Sequence, residues 1–220
     1  MADYNVKLSQ LHQRVWQDEL GLLATIGEHG DIQVKHPDLG ELKIDLYEYS
    51  PEMMSLKCTF FGDYDNPGSA HVARAHEDLM RICNSVNLHE RAKLWVHAPY
   101  SVVSASVELV LAAPGRMPDE ALLRGVIGRV MSEIKRAAEE FAAELQKFTA
   151  AQKTVNDHLS SAYRPGMTAD SLLESYTSSP TFAADQGLVF SEFIKFPTLD
   201  YARHRCYEMC AQGGNPSGDG

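Results

Sequence analysis

The spacing of apolar residues changes abruptly within one short segment, ICNSVNLHERAKLWV (residues 82–96), and this change limits the possible folds more than any other feature. Before it, apolar residues recur every three or four positions, which is typical of a helix with one buried face. After it, Lys93, Trp95 and His97 alternate with apolar residues, as they do in a strand, whose successive side chains point to opposite faces of a sheet. The segment therefore predicts a helix that passes almost directly into a strand.

The residues around this junction extend the pattern on both sides. Asn84 and Asn87 fall in the last predicted helical turn, where asparagine tolerates the left-handed conformation that often ends a helix. Every second residue from Val103 to Leu111 is apolar, which predicts a longer strand that returns after a turn. The junction is thus predicted to join a helix to a β-hairpin.

The N-terminal part of the chain predicts a short helix followed by three strands. Apolar residues at helical spacing occupy positions 6–17, and alternating patterns follow at positions 32–35, 41–49 and 54–61. In the second of these strands, Leu42, Ile44 and Leu46 share one face, which we expect to be buried. The three strands are predicted to form an antiparallel meander.

A long apolar stripe runs from Leu123 to Phe148 and predicts about thirty helical residues, or roughly 45 Å at 1.5 Å per residue. This length exceeds what a small sheet can cover. We expect its first turns to lie on the sheet and its later turns to contact a partner subunit or the C-terminal segment. The residues assigned to that dimer or tail contact are Ile134, Phe141, Leu145 and Phe148.

These patterns together predict an α+β fold. It has an antiparallel sheet of about five strands with helices on one face, in the order α-β-β-β-α-β-β-α. Residues 1–150 form this domain, and residues 151–220, in which the apolar pattern weakens, are predicted to be a loosely structured C-terminal extension.

Composition excludes several classes of function. The net charge of -10 and the lack of clustered Lys and Arg argue against nucleic-acid binding. No segment approaches the roughly 18 apolar residues of a membrane span, and the N-terminus does not look like a secretion signal. Four cysteines suggest no disulfide framework, so we expect a cytoplasmic protein without membrane association.

No pattern of catalytic or metal-binding residues stands out. Cys206 and Cys210, with His204 nearby, could share a helical face, but zinc needs about four ligands and no second pair is present, so exposed thiols are expected there. The helix with His71 and His76 does not contain HExxH, and the sequence contains neither a GxSxG elbow nor a phosphate-binding loop. We predict no catalytic residue, no metal and no cofactor.

Aromatic side chains are predicted on the face of the sheet opposite the helices, where one layer of helices would leave them exposed. Such a face is either a binding site or is covered by the C-terminal segment, a partner subunit or another helix. The residues predicted to bind a partner there are Tyr47, Tyr49, Phe61, Trp95 and His97.

Two segments carry a resemblance to a known family. They are CNSVNLHERAKLWV and SVELVLAAPGRMPDEALLRGVIGRVMSEIKRAAEEFAAEL, and the resemblance spans roughly residues 70 to 145. Through them the chain resembles the YbjN-like family of bacterial proteins, whose fold is similar to that of type III secretion chaperones. Residues 151–220 have no counterpart in a short chaperone of this type.

The resemblance implies a non-enzymatic protein that is chaperone-like or regulatory and often dimeric. It would bind an extended segment of a partner protein or secreted client by adding a strand to a sheet edge and filling apolar pockets. The alternative is a small hydrolase or ligand-binding enzyme with a deep polar pocket that holds His97 or His36 beside a carboxylate. A structural subunit of a larger assembly is a third interpretation.

Overall fold

The computed structural model describes residues 2–47, 50, 52–61, 70–97, 102–114, 116–180, 182, 189–191, 194–195 and 198–213. The chain divides into two compact units, Met1–Ala142 and Ala143–Gly220. The longest helix passes through the division, so part of it belongs to each unit.

The first unit contains a sheet and the helices that cover one of its faces. Helix α1 (Ala2–Arg14) continues into a π-helical turn (Val15–Glu19) and is followed by β1 (Leu23–Ile26), β2 (Ile32–His36), β3 (Gly40–Leu46) and β4 (Met53–Phe61). Helix α2 (Ala70–His89), β5 (Lys93–His97), β6 (Val102–Val110) and α3 (Glu120–Ala162) come next.

The sheet has six antiparallel strands in the order β1-β2-β3-β4-β6-β5, so β1 and β5 form its two edges. The predicted α+β class and antiparallel sheet are confirmed, with one strand more than expected. The missed strand is β1, which is only four residues long and buries Ala24 alone. A single buried residue leaves no alternation for sequence reasoning to detect.

Alternate residues of each strand lie on a buried inner face and a polar outer face. Between β3 and β4, the inner pairs are Leu42 with Cys58 and Ile44 with Leu56, whereas the outer pair is Lys43 with Lys57. The inner-face residues that are buried are Ala24, Ile32, Val34, Leu42, Ile44, Met54, Leu56, Cys58, Leu94, Val103 and Ala105.

Two cysteines belong to this core. Burial raises the pKa of Cys58 to about 11 and that of Cys83 to about 12, so both stay protonated thiols at neutral pH. This agrees with their predicted behaviour as small apolar side chains.

Helix α1 and the π-helical turn bury two polar aromatic side chains one helical turn apart. His12 and Trp16 are fully buried, and neither ring nitrogen of His12 nor Nε1 of Trp16 has a hydrogen-bond partner within the described part of the chain. Burial lowers the pKa of His12 to about 4, because the charged ring would lose its hydration. His12 is therefore a neutral core residue at neutral pH.

Helix α3 has 43 residues and is longer than the predicted thirty. Asp119 caps its start by accepting a hydrogen bond from Leu122 N at 2.9 Å. Beyond Phe148, the buried stripe continues through Ala151, Val155 and Leu159. The prediction stopped too early because small and polar residues between these positions dilute the apolar pattern.

The second unit is more regular than the predicted loose extension. Besides the end of α3, it contains α4 (Ala169–Thr177), β7 (Val189–Ser191), β8 (Ile194–Lys195) and α5 (Thr198–Gly213). Asn156 of α3 donates to Tyr201 Oη at 2.9 Å and accepts from Arg205 Nε at 3.0 Å, both on α5. Thr168 caps α4 by accepting a hydrogen bond from Ser171 N at 3.2 Å, and Asp170 lies in the first turn of that helix. Composition alone does not distinguish such helix-capping residues from those of a disordered segment.

Among the helices that the structure describes, none is both long and apolar enough to cross a membrane.

Candidate partner-binding site

The outer face of the sheet contains an open depression of about 590 Å³, called here the outer-face hollow. Strands β2 to β6 contribute its walls, and all of them lie within the first unit. Its lining residues are Gln33, Glu41, Lys43, Lys57, Thr59, Trp95, His97 and Ser104. It is thus a mixed site, with one large aromatic surface among charged and hydroxyl groups.

A chain of hydrogen bonds fixes the aromatic end of the outer-face hollow. Trp95 Nε1 donates to His97 Nε2 at 2.6 Å, and the two rings meet edge to face with centroids 5.5 Å apart. Ser104 Oγ lies 3.0 Å from the same His97 nitrogen and 2.7 Å from Thr59 Oγ1. Because an indole N–H can only donate, Nε2 is the acceptor and the neutral ring carries its proton on Nδ1. Ser104 then donates to His97 and accepts from Thr59.

The lysines of the outer-face hollow are neutralised by neighbouring carboxylates. Lys57 Nζ lies 2.6 Å from Asp45 Oδ2, while Lys43 Nζ lies 3.3 Å from Asp45 Oδ1 and 3.5 Å from Asp31 Oδ2. Burial by itself would raise the pKa of Asp45, but the hydrogen bonds and charges of Lys57 and Lys43 outweigh it and lower that pKa. Asp45 therefore bridges two like charges that face each other across β3 and β4.

The predicted aromatic row is brought together only in part. Trp95 and His97 are half-buried and adjacent, whereas Tyr47 donates to Glu108 at 3.2 Å near the opposite end of β3. Tyr47 lies six residues beyond Glu41, or about 20 Å along the strand at ~3.4 Å per residue. Tyr49 and the side chain of Phe61 lie outside the described residues.

The charged cluster of Lys43, Asp45 and Lys57 occupies the sheet between Tyr47 and the Trp95–His97 pair. Alternation predicted the face of each aromatic residue but not its position along the sheet, which depends on the register. The partner-binding role of all five residues stays a prediction.

Both edges of the sheet are capped by side-chain amides. Asn87 of α2 donates from Nδ2 to Leu94 O at 2.9 Å and accepts at Oδ1 from Leu94 N at 2.7 Å, so it occupies both backbone groups of Leu94 on β5. On β1, Gln13 and Gln17 both donate to Ala24 O, at 3.1 and 2.8 Å. Asn87 therefore shields the edge strand β5. The sequence predicted only a left-handed helix end near this residue, whereas α2 continues to His89.

Of the four α3 residues predicted to contact a dimer partner or the C-terminal segment, Ile134, Phe141 and Phe148 are buried within the single chain and Leu145 is half-buried. Phe141 packs against Phe60 of β4, with ring centroids 5.6 Å apart and an interplanar angle of 72°. That contact places Phe141 on the sheet. The assignment of these residues to a dimer or tail contact stays a prediction.

The other predicted chemical groups have structural partners. His36 Nδ1 accepts hydrogen bonds from the backbone N–H groups of Asp38 and Leu39, both at 3.1 Å, and so stabilises the β2–β3 turn. The expectation of an exposed thiol at Cys206 is wrong, since this residue is fully buried and burial, followed by the nearby Cys210, raises its pKa to about 11. Within the described residues, no three His, Cys, Asp or Glu side chains gather as a metal site.

Comparison with known proteins adds two similar structures. No protein-family model and no curated protein matches the chain. The crystal structure of YbjN from E. coli is similar over 61% of this chain and 90% of that one, with 12% identity and a TM-score of 0.44. An uncharacterized protein from Methanothermobacter thermautotrophicus is similar over 61% and 96%, with 15% identity and a TM-score of 0.40. The first of these structures is that of YbjN, whose family the sequence resembles.

Proposed function

We propose that the protein is a non-enzymatic, chaperone-like or regulatory module that binds an extended segment of a partner protein in the outer-face hollow. The observation that carries this proposal is the half-buried indole of Trp95, held in one orientation by His97 among the otherwise polar residues that line the outer-face hollow. A fixed aromatic side chain gives a large contact area at low cost in conformational entropy.

The capped edges favour the face over the edge as the docking surface. A strand added beside β5 would have to displace both hydrogen bonds between Asn87 and Leu94, and one added beside β1 would compete with Gln13 and Gln17 for Ala24 O. Side-chain contacts across the outer face need no such displacement. The edge-addition mode implied by the sequence resemblance is therefore replaced in this proposal by binding across the face.

A library of immobilised 13-residue peptides tests the proposal. We expect the wild-type chain to bind a subset of peptides, Trp95→Ala to lose most of that binding, and Tyr207→Ala to retain it. Tyr207 is a matched control because it is an aromatic residue of α5 with 55% exposure. Thr59→Trp, which fills the outer-face hollow without emptying the core, should also abolish binding. Equal binding by all four proteins would overturn the proposal.

We further propose that the protein works in the cytoplasm and as a homodimer. All four cysteines are free thiols, which suits a reducing compartment. The homodimer rests on the sequence resemblance, and light scattering on the purified chain tests it. A dimer has twice the chain mass of 24.4 kDa, and a molar mass equal to that of one chain would contradict this part of the proposal.

The 3.0 Å contact between His97 Nε2 and Ser104 Oγ favours a hydrolase as the second candidate function. A serine nucleophile needs a base that can take its proton and a group that orients the base. Here the lone pair of Nε2 also accepts from Trp95, and within the described structure no group hydrogen-bonds to Nδ1. Labelling of Ser104 by a fluorophosphonate, absent in Ser104→Ala, would support the hydrolase.

A further inference from the structure

The outer face of the sheet has a second apolar surface, at the end of β4 and β6 that lies away from the outer-face hollow. Val110 of β6 is 69% exposed and is paired with the half-buried Met53 of β4. Tyr47 lies beside Met53, because the preceding residue of β3 is paired with Met54. Its hydroxyl group donates to Glu108 of β6 at 3.2 Å, so the Tyr47 side chain crosses β4. Tyr47, Met53 and Val110 are called here the outer-face apolar patch.

The outer-face apolar patch and the Trp95 indole lie on the same face of the sheet, well apart from each other. Trp95 is paired with Ser104 on β6, and Val110 lies six residues further along that strand. At ~3.4 Å per residue, six residues span about 20 Å. Because six is an even number, Ser104 and Val110 point to the same face. One extended chain that runs along β6 could therefore contact both apolar surfaces.

The charges of the outer face balance in the described part of the chain. Three lysines and three carboxylates surround the outer-face hollow, namely Lys35, Lys43, Lys57, Asp31, Glu41 and Asp45. Further along the face, Lys93 on β5 and Glu108 on β6 add one charge of each sign. A charged side chain of a ligand would lose hydration here without a net opposite charge to compensate for it. This surface therefore favours an uncharged ligand.

We propose that the partner segment is uncharged where it crosses the outer face, and that two of its apolar side chains, six positions apart, contact Trp95 and Val110. This inference rests on the proposed function and specifies the sequence of the partner. An extended chain rises ~3.3 Å per residue, so six positions again cover about 20 Å. Side chains an even number of positions apart point to the same side of such a chain, which lets both reach the sheet.

Peptides that differ only in the spacing of two leucines test the two contacts. Each is a 13-residue Ser/Thr/Gly chain with its leucines six or five positions apart. The dissociation constants come from amide and indole N–H shifts of the 15N-labelled full-length protein at about 0.15 M salt, which screens its net charge of -10. We expect the six-position peptide to bind about fivefold more tightly, because a five-position spacing turns the leucines to opposite sides. Equal dissociation constants would overturn the inference.

The variant Val110→Ser should remove the preference for the six-position spacing, whereas Leu88→Ser should keep it. Leu88 is a matched control, since it is an exposed apolar residue of α2, with 61% exposure, in the same unit as Val110. Both substitutions replace exposed side chains and should leave the fold intact. A spacing preference that survives in Val110→Ser would show that Val110 does not contact the segment.

Two further peptides test the preference for an uncharged segment. In these, two serines between the leucines are replaced by lysines or by glutamates, and we expect both peptides to bind more weakly than the uncharged one. The variant Asp45→Asn leaves Lys57 without its carboxylate at 2.6 Å, so the glutamate peptide should bind this variant more tightly than the lysine peptide does. If either charged peptide binds the wild-type protein most tightly, the charge balance does not select the partner.

The outcomes also separate this inference from the proposed function. If all peptides bind equally and shift the Trp95 indole signal, the spacing and the charge preference are wrong, while partner binding at the outer-face hollow is supported. If no peptide shifts that signal and the immobilised library also gives no binding that depends on Trp95, both proposals are wrong.

Discussion

The side-chain amide of Asn87 forms two hydrogen bonds with the backbone of Leu94 and so takes the place of a neighbouring strand beside β5. One residue thereby joins α2 to the sheet and shields an edge that could otherwise pair with another chain. The helix-to-strand junction at residues 82–96 is built around this contact.

We expect Asn87→Ala to destabilise the fold by about 1–3 kcal/mol, because it removes two hydrogen bonds and leaves the Leu94 backbone groups unpaired. Urea unfolding measures this change. The variant should also self-associate more readily through the opened β5 edge, as light scattering would show. Asn84→Ala is the matched control, since Asn84 is exposed one turn earlier on α2. Equal stability of the two variants would contradict the capping role.

Buried His12 should make the fold sensitive to acid. The pKa of its ring is about 4 in the folded chain and about 6.5 when unfolded, so the unfolded state binds more protons between these values. The contribution of neutral His12 to the free energy of unfolding is fully present above pH 6.5 and is lost as the pH falls to about 4. A difference of 2.5 units corresponds to about 3 kcal/mol.

Chemical unfolding at a series of pH values checks this prediction. The variant His12→Leu should lose less stability than the wild-type chain between pH 6.5 and 4. Replacement of the exposed His29 by leucine should leave the acid sensitivity of the wild type unchanged. A parallel pH dependence for His12→Leu and the wild-type protein would show that His12 does not titrate as described.

The hydrogen bond between Trp95 and His97 should be visible in the indole spectrum. The protein has only two tryptophans, and Trp16 is fully buried. In His97→Phe, the Trp95 indole N–H loses its acceptor, so its proton signal should move upfield while the Trp16 signal stays in place. Trp95→Phe assigns the two signals. An unchanged pair of signals in His97→Phe would mean that this bond is absent in solution.

The contact between Phe60 and Phe141 should couple the two residues energetically. We expect Phe141→Ala to cost about 3–5 kcal/mol of stability, because its side chain is buried against the sheet. A double-mutant cycle with Phe60→Ala should give a coupling energy of about 0.5–1.5 kcal/mol, as is typical of aromatic pairs. A coupling energy near zero would mean that the part of the α3 apolar stripe around Phe141 does not pack on β4.

The helical spacing and the strand alternation of apolar residues predicted the fold class and the faces of most strands. The inner-face residues Leu42, Ile44 and Leu94 are buried as expected, and Lys43 and Lys93 are exposed. Strand β1 was missed because it buries one residue, and the length of α3 was underestimated because Ala151 and Val155 are separated by polar residues.

The site was less accessible to sequence reasoning, since it depends on cross-strand register. Trp95 and Glu41 are 54 positions apart, and only the pairing of β3 with β4, β4 with β6 and β6 with β5 places them in one row. Polar residues such as Thr59 and Ser104 showed no distinguishing pattern, yet they line the outer-face hollow beside the aromatic pair.

Mapping the binding site of an extended peptide by amide chemical shifts tests the central claim most directly. With the tightest peptide from the immobilised library, we predict the largest shifts at Lys57, Thr59, Trp95 and Ser104, which share the outer-face hollow. Shifts concentrated instead at Ala24 and Ile26 of β1 or at Leu94 of β5, with the outer-face hollow unchanged, would show that the partner adds to a sheet edge and would contradict the account.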